Sequence, residues 1–411
     1  MKIYASRQQR FSRLRKWIVI LVTVVLAGTG GVYLLGRMPK SESASDNTST
    51  ESVTPPAAKP ESLVSKTAFF GTTYWGRYIN DWSMKSDLKY AYPFSRLSEF
   101  NRSSYDAWIA GLECPTIPGV NLNSAEEDAT LAFNCRPEYL TEAVKWFTAF
   151  SLANNHTDNQ GADGFAATRV QLEKVGIQYF GHYDPKVTND LCEAVSLPAR
   201  VTMSDKEVRK VDLPVALCGY HGVFQIPSSE AVAQIARYKD IMPVIVMPHM
   251  GAEYEPAPDQ IRTTLYREMI DAGADMVLAD HPHWTQTTEA YKGKLIVYSM
   301  GNFIFDQQDT SEVTRSAGIG VTFSVKDVSA EQLHGWIDLG KNCGKFQDSC
   351  LVDAEKNGLK KMPFKYDIEV IATNDQGKIT HPATAEQRAS LLQRLGWAQT
   401  ITGLKPPYYG H

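Results

Sequence analysis

The sequence predicts an α/β fold built on buried parallel strands. Short apolar runs alternate with helical patterns, the signature of strands covered on both faces. Between Met247 and Asp306 three such runs end in polar residues. His249 follows Pro243–Pro248, His281 and His283 follow Met276–Ala279, and Ser299 and Asn302 follow Leu295–Tyr298. In open α/β sheets, ligands sit beyond the carboxyl ends of the strands, so polar residues recurring there mark one rim.

Taken in order, the chain begins with a basic segment, residues 1–16, carrying Lys2, Arg7, Arg10, Arg13, Arg15 and Lys16. The uncharged run Trp17–Leu35 is close to the ~20 residues a membrane-crossing helix needs. With positive charge before it, the run reads as an N-terminal transmembrane signal anchor, N-terminus cytoplasmic and main domain extracytoplasmic, in the cell membrane. A cleaved signal peptide is the competing reading; its apolar core is usually shorter. Residues 36–63 hold a linker rich in Ser, Thr, Pro and Glu.

The main domain is expected over 64–306, with 307–411 completing it. Strands are expected at Lys66–Phe70, Tyr105–Leu112, Phe150–Ala153, Ile177–Phe180, Val195–Val201, Asp212–Gly219, Pro243–Met247, Met276–Ala279 and Leu295–Tyr298. Gly320–Val325 and Tyr366–Ile371 read as strands of the tail. Helices are expected around Phe94–Asn101, over Glu138–Phe147, through Phe165, Thr168, Leu172 and Val175 to a stop at Gly176, and over Glu230–Tyr238. Another runs through Ile261, Leu265, Met269 and Ala272 to Gly273, and the last is Ala385–Trp397. Pro118–Ala129 reads as a surface loop.

The net charge of −4 and the lack of a basic stripe beyond the N-terminus give no sign of nucleic-acid binding. The six cysteines are an even set, which suits disulfides outside the cytoplasm. Proximity along the chain suggests Cys114–Cys135, Cys192–Cys218 and Cys343–Cys350. Buried free thiols are the alternative.

Five strand ends bring polar residues to the predicted rim: Thr72–Thr73, Glu113, Asn154–Asn155–His156, His249, and His281 with His283. Imidazole, carboxylate and amide oxygen together suit a divalent metal such as Zn, Mn or Fe. Each residue alone has a structural explanation, as a cap, an Asx turn or a core histidine.

The segments LANNHTDNQGADGF, PHMGAEYEP, DHPHWTQ and YSMGNFIFD, in that order, resemble the CapA family, linked to poly-γ-glutamate capsule synthesis. The resemblance spans roughly Lys66 to Asp306. It implies a layered α/β sandwich of the metallo-dependent phosphatase type. It also implies metal ligation by Glu113, Asn155, His249, His281 and His283, with His156 as general acid beside Asn154. Arg77, Glu253, Ser299 and Asn302 are the substrate-binding candidates. Expected partners are polyglutamate or another anionic envelope polymer, the membrane, and membrane-bound synthase subunits. The family opens with Gly-Asp, whereas this chain has Gly71-Thr72, with Gly76-Arg77 retained. A hydroxyl is a poorer ligand than a carboxylate, so a site with one metal is an alternative to one with two. Three functions stay open: metal-assisted amide hydrolysis or transfer, a non-catalytic polymer-binding or export scaffold, and a metallophosphoesterase.

Overall fold

A computed structural model describes residues 57–343 and 347–411. The expected anchor Trp17–Leu35 lies outside the described residues. Among the described residues, no helix is long and apolar enough to cross a membrane.

Strand β1 (Pro60–Thr73) organises the sheet. Its first half pairs antiparallel with β5 (Cys192–Met203) and with β12 (Arg315–Lys326). Its second half pairs parallel with β2 (Ala107–Leu112) and with β11 (Asn302–Ile304). The sheet therefore forks along β1. One branch continues from β2 through β3 (Ala149–Ser151) to β4 (Gln178–Phe180), all parallel. The other runs from β5 through β6 (Val208–His221), β7 (Val244–His249), β8 (Met276–Leu278) and β10 (Lys294–Val297) to β9 (Thr288–Tyr291). On the far side, β12 pairs with β13 (Lys365–Asn374), which carries the short strands His381–Pro382 and Tyr408–Gly410.

Alternation along β1 and β2 feeds two cores. Phe69 and Ile109 face the larger core with Val215, Ile245 and Val277. Phe70, Trp108 and Ala110 face an aromatic core with Trp75, Phe150 and Phe303. The period of two places successive side chains on opposite faces, and burial on both faces accounts for the unbroken apolar runs. Phe70 stacks on Phe303 at 3.9 Å and meets Trp108 edge-on at 4.9 Å. Such pairs add about 0.5–1.5 kcal/mol each beyond area burial.

Helix α1 (Arg77–Lys85) follows the turn after β1. Helix α2 (Gly161–Val175) buries Phe165, Thr168 and Leu172 and ends at Gly176, whose φ of +83° suits glycine. Helix α3 (Gln260–Ala272) starts at Asp259, whose carboxylate accepts from the Arg262 N–H at 2.9 Å. Its buried face is Leu265, Tyr266, Met269 and Ile270; Ile261 is exposed, contrary to the sequence pattern. That first-turn residue precedes the helix's seating on the sheet.

Other differences concern short or polar elements. Glu138–Phe147 forms two brief turns of helix, Pro137–Tyr139 and Leu140–Ala143, rather than one helix. Phe94–Asn101 is replaced by 3-10 turns at Lys89–Phe94 and Leu97–Phe100. The expected loop at Pro118–Ala129 holds the helix Ser124–Thr130, nucleated by a capping box between Asn123 and Glu126. All three expected disulfides are present: Cys114–Cys135, Cys192–Cys218 and Cys343–Cys350.

Candidate metal centre

The carboxyl ends of β2, β3, β7 and β8 converge. Glu113 follows β2 and extends its ladder, its N–H donating to Thr73 O at 2.9 Å. Cys114, next in the chain, is tied to Cys135, whose Sγ accepts from the Trp75 N–H at 3.4 Å. The bridge thus holds Glu113 from behind. Asn154, Asn155 and His156 follow β3. The Asn154 side-chain oxygen accepts from the His156 N–H at 2.8 Å, and its amide nitrogen donates to Glu113 Oε2 at 3.2 Å.

His249 ends β7, fully buried. Its Nδ1 lies 2.8 Å from Asp280 Oδ1. The Asn154 amide nitrogen lies 3.2 Å from the same Nδ1, so the proton on this ring is shared out among Asp280, Asn154 and the groups at Nε2. That Nε2 faces Asn155 Oδ1 at 2.8 Å, His281 Nδ1 at 3.1 Å and Glu113 Oε2 at 3.9 Å. His283 repeats the pattern. Its Nδ1 lies 2.7 Å from Asn302 Oδ1, which leaves Nε2 facing Glu113 Oε1 at 3.8 Å. Both histidines after β8 have left-handed backbones, φ +96° at His281 and +58° at His283. Non-glycine residues reach that region at a cost, and such strain concentrates at functional sites.

Burial sets the protonation states. It pushes the Glu113 carboxyl well above the usual carboxylate range and holds His249 and His281 neutral, well below the usual imidazole value. Burial also lowers His156 to about 4 and raises Asp280 to about 7. A carboxyl so disfavoured as an anion takes up either a proton or a cation.

These contacts test whether a metal fits. His249 Nε2 lies 2.8 Å from Asn155 Oδ1, the distance of a hydrogen bond when Nε2 carries the proton and of two donors sharing a cation when it does not. Ligands bound at about 2.0–2.2 Å sit roughly 3 Å from one another. Among the described residues, no three His, Cys, Asp or Glu side chains form a ready-made metal-holding group. The converging donors are one imidazole, one amide oxygen and Glu113, which a cation would draw inward. The donor chemistry fits a divalent ion.

The remaining expected residues fall around this point. Thr72 is fully buried, and its hydroxyl donates to Asp280 Oδ2 at 3.4 Å. Ser299 is buried and accepts from the Gly301 N–H at 3.2 Å. Asn302 holds His283 and donates to Gln307 Oε1 at 3.2 Å. Glu253 is exposed, close enough to raise Glu113 by its charge. The Arg77 guanidinium is engaged by both oxygens of Asp306 at 2.7 Å and lies 3.3 Å from Asp128.

Two residues at the site lie outside the set expected from sequence. Asp280 stands beside the histidines of the DHPH segment and serves one of them. His221 ends β6 in register with His249, and its Nδ1 is held by Tyr183 O. Its Nε2 is buried without a hydrogen-bond partner. The rule that identifies His249, a polar residue closing an apolar run, applies equally to His221.

Residues 66–307 match the family model for the bacterial capsule synthesis protein PGA_cap. The chain belongs to that family. Among curated PGA_cap relatives, it is 28% identical over 267 residues to the capsule biosynthesis protein CapA of Bacillus anthracis, covering 63% of this chain and 64% of that one. It is 29% identical over 255 residues to the PGA biosynthesis protein CapA of Bacillus subtilis (strain 168), covering 58% and 63%. The chain thus spans under two thirds of the length of these relatives. The crystal structure of TT1561 of Thermus thermophilus overlaps 62% of this chain and 93% of its own at 10% identity, with a TM-score of 0.31, too loose an overlap to assign a fold.

Proposed function

We propose that this PGA_cap protein acts on poly-γ-glutamate or a related anionic envelope polymer, by metal-assisted hydrolysis or transfer at an amide bond. The convergence of His249 Nε2, Asn155 Oδ1 and Glu113 Oε2 is the observation that carries this reading. A divalent cation held there, with His281 and His283 adjacent, would supply Lewis acidity toward a carbonyl oxygen.

The chain's own residues supply the rest. Asp280 holds the His249 ring in place through Nδ1. Asn154 braces Glu113 and the His156 backbone together. His156, neutral near pH 7, has Nδ1 2.9 Å from Asn159 Oδ1 and is also hydrogen-bonded to the Leu131 backbone. It is the general-acid candidate of this reading, the proton lost by the attacking water or amine ending on the departing nitrogen. The reading includes a metallophosphatase-type layered sandwich, anchored in the cell membrane by residues 17–35 with the catalytic domain outside. Synthase subunits in that membrane are the proposed partners.

Thr72 supports a second reading, a polymer-binding scaffold, because a neutral hydroxyl stands where the family pattern has a carboxylate. Incubating the full chain with poly-γ-glutamate and a divalent cation, then sizing the polymer, separates the two. Chain shortening or transfer that disappears in His249→Ala supports the enzyme. Binding with unchanged polymer length under every metal tested supports the scaffold.

A further inference from the structure

Beside the metal centre lies a cavity of about 250 Å³, lined by Glu255, Asp259, Arg262, Gln286, Tyr266 and Tyr298, with apolar residues making up the rest. It adjoins the centre through the backbone. Met250, in the lining, follows His249, and its N–H donates to Asp280 O at 3.3 Å. Gly251 packs so closely on Pro282, between His281 and His283, that an added Cβ would lie 3.2 Å from the proline ring.

The lining offers hydrogen-bond acceptors. Gln286 is 3% exposed, and its Nε2 donates to Glu255 O at 3.0 Å. That contact fixes which end of the amide is which, because a carbonyl oxygen accepts only from the NH2 group. Among the described residues, Gln286 Oε1 accepts no hydrogen bond, and it is not sealed within the protein. A buried side chain thus keeps an open acceptor where it lines the cavity. Such an oxygen calls for a donor from whatever fills the space. Glu255 adds an exposed carboxylate to the same lining.

Charge decides which donor. Two carboxylates, Glu255 and Asp259, stand against one guanidinium, Arg262, which leaves the lining net negative. Arg262 is engaged by Asp259, through Nη1 at 2.7 Å and through its backbone N–H at 2.9 Å. The tyrosines add no donor. Tyr298 Oη donates to Glu289 at 2.6 Å, and the Tyr266 hydroxyl is sealed in the protein. Their rings, stacked at 5.6 Å, form an aromatic wall of the kind that accommodates a cation. Acceptors, net negative charge and aromatic carbon together suit a primary ammonium, which has three donors and no acceptor. The volume falls below the ~300–1,000 Å³ of whole-ligand sites and suits one end of a larger molecule.

We propose that this cavity is an ammonium subsite, in which Gln286 Oε1 and the Glu255 carboxylate accept from a primary ammonium whose parent molecule reacts at the metal centre. Two sources carry that chemistry: the free amino end of the chain acted upon, and a separate amine-bearing acceptor. The first would confine the reaction to bonds near the chain end. The second would dock the acceptor by its cationic group while another of its groups attacks. The choice of a glutamate chain rests on the function proposed above; the ammonium preference does not.

The test measures binding to the full-length chain by calorimetry, with three probes: a γ-linked glutamate pentamer with a free amino end, the same pentamer N-acetylated, and n-butylamine. With the chain end as the source, the free pentamer should bind roughly tenfold tighter than the acetylated one, the scale of one hydrogen bond to a charged group. That preference should vanish in Glu255→Gln and in Gln286→Leu. Glu255→Gln alters an exposed side chain, so its melting temperature should hold, and it decides the matter if Gln286→Leu unfolds. Equal affinity for the two pentamers, with butylamine binding that depends on Glu255, assigns the subsite to a separate acceptor. Butylamine binding that depends on Glu255, in a protein that ignores both pentamers, supports the subsite and overturns the polymer reading. Equal pentamer affinities without such butylamine binding, or a preference that survives Glu255→Gln, overturn the subsite and leave the polymer reading standing.

Discussion

His249 and Asp280 are joined, Nδ1 to Oδ1, at 2.8 Å across the ends of neighbouring parallel strands. The other oxygen of Asp280 accepts from Thr72 at 3.4 Å and sits against Gly111, where an added Cβ would come within 2.4 Å of it. One carboxylate therefore fixes the ring of a candidate ligand and fills the space beside the threonine. A metal-bound histidine depends on such a partner for its tautomer and orientation.

Asp280→Asn should accordingly reduce divalent-metal affinity about 10–100-fold while leaving the fold intact. Titration calorimetry with Mn or Zn reads the affinity, and circular dichroism checks the fold. Unaltered affinity would remove Asp280 from the account.

Asp375 makes a pH prediction remote from the metal ligands. It is 2% exposed, and its carboxyl has only loose contacts, with the Gln308 side chain and its own backbone N–H. Burial first, and then the charge of Asp306, holds its carboxyl well above the usual range. The folded state thus binds this proton more tightly than the unfolded chain. The sign follows: the contribution is fully present below the unfolded value of about 3.9 and is lost as pH rises through the folded value. Asp375→Asn, which cannot ionise, should stabilise the protein at pH 8, by on the order of 1–3 kcal/mol, and do less at pH 5. Thermal melts at the two values decide it; a variant less stable at pH 8 would show that the carboxylate is satisfied.

Disulfide removal should separate stability from site integrity. The Cys114–Cys135 bridge closes 21 residues and Cys343–Cys350 closes 7. Loop-closure reasoning gives roughly 3 kcal/mol for the first and somewhat less for the second. Only the first bridge lies next to Glu113. The double substitution Cys114→Ala, Cys135→Ala should therefore weaken metal binding as well as lower the melting temperature, whereas Cys343→Ala, Cys350→Ala should lower the melting temperature alone. Metal titration of both variants distinguishes them.

The strand ends are legible in the sequence because buried strands write their location as apolar runs, and His249 and Glu113 each close one. The β6 end at His221 obeys the same rule, but no motif accompanies it to draw notice. The short strands β9 and β11 are not legible, since neither is a continuous apolar run; pairing in the sheet, not local pattern, holds Asn302 opposite Thr72. The fork along β1 is likewise hidden, since it depends on which neighbours meet each half of one continuous run. Contacts such as His249 to Asp280 join residues 31 apart in sequence and arise only once the strands align.

Glu113, Asn155 and His249 are proposed to hold a divalent cation. Elemental analysis of the purified full chain, after equilibration with Mn, Zn and Fe(II) and removal of free metal, tests it most directly. About one equivalent or more is expected in the native protein, with loss of that metal in Glu113→Gln and in His249→Ala. Metal-free native protein under all three ions, or equal metal content in the variants, would contradict it.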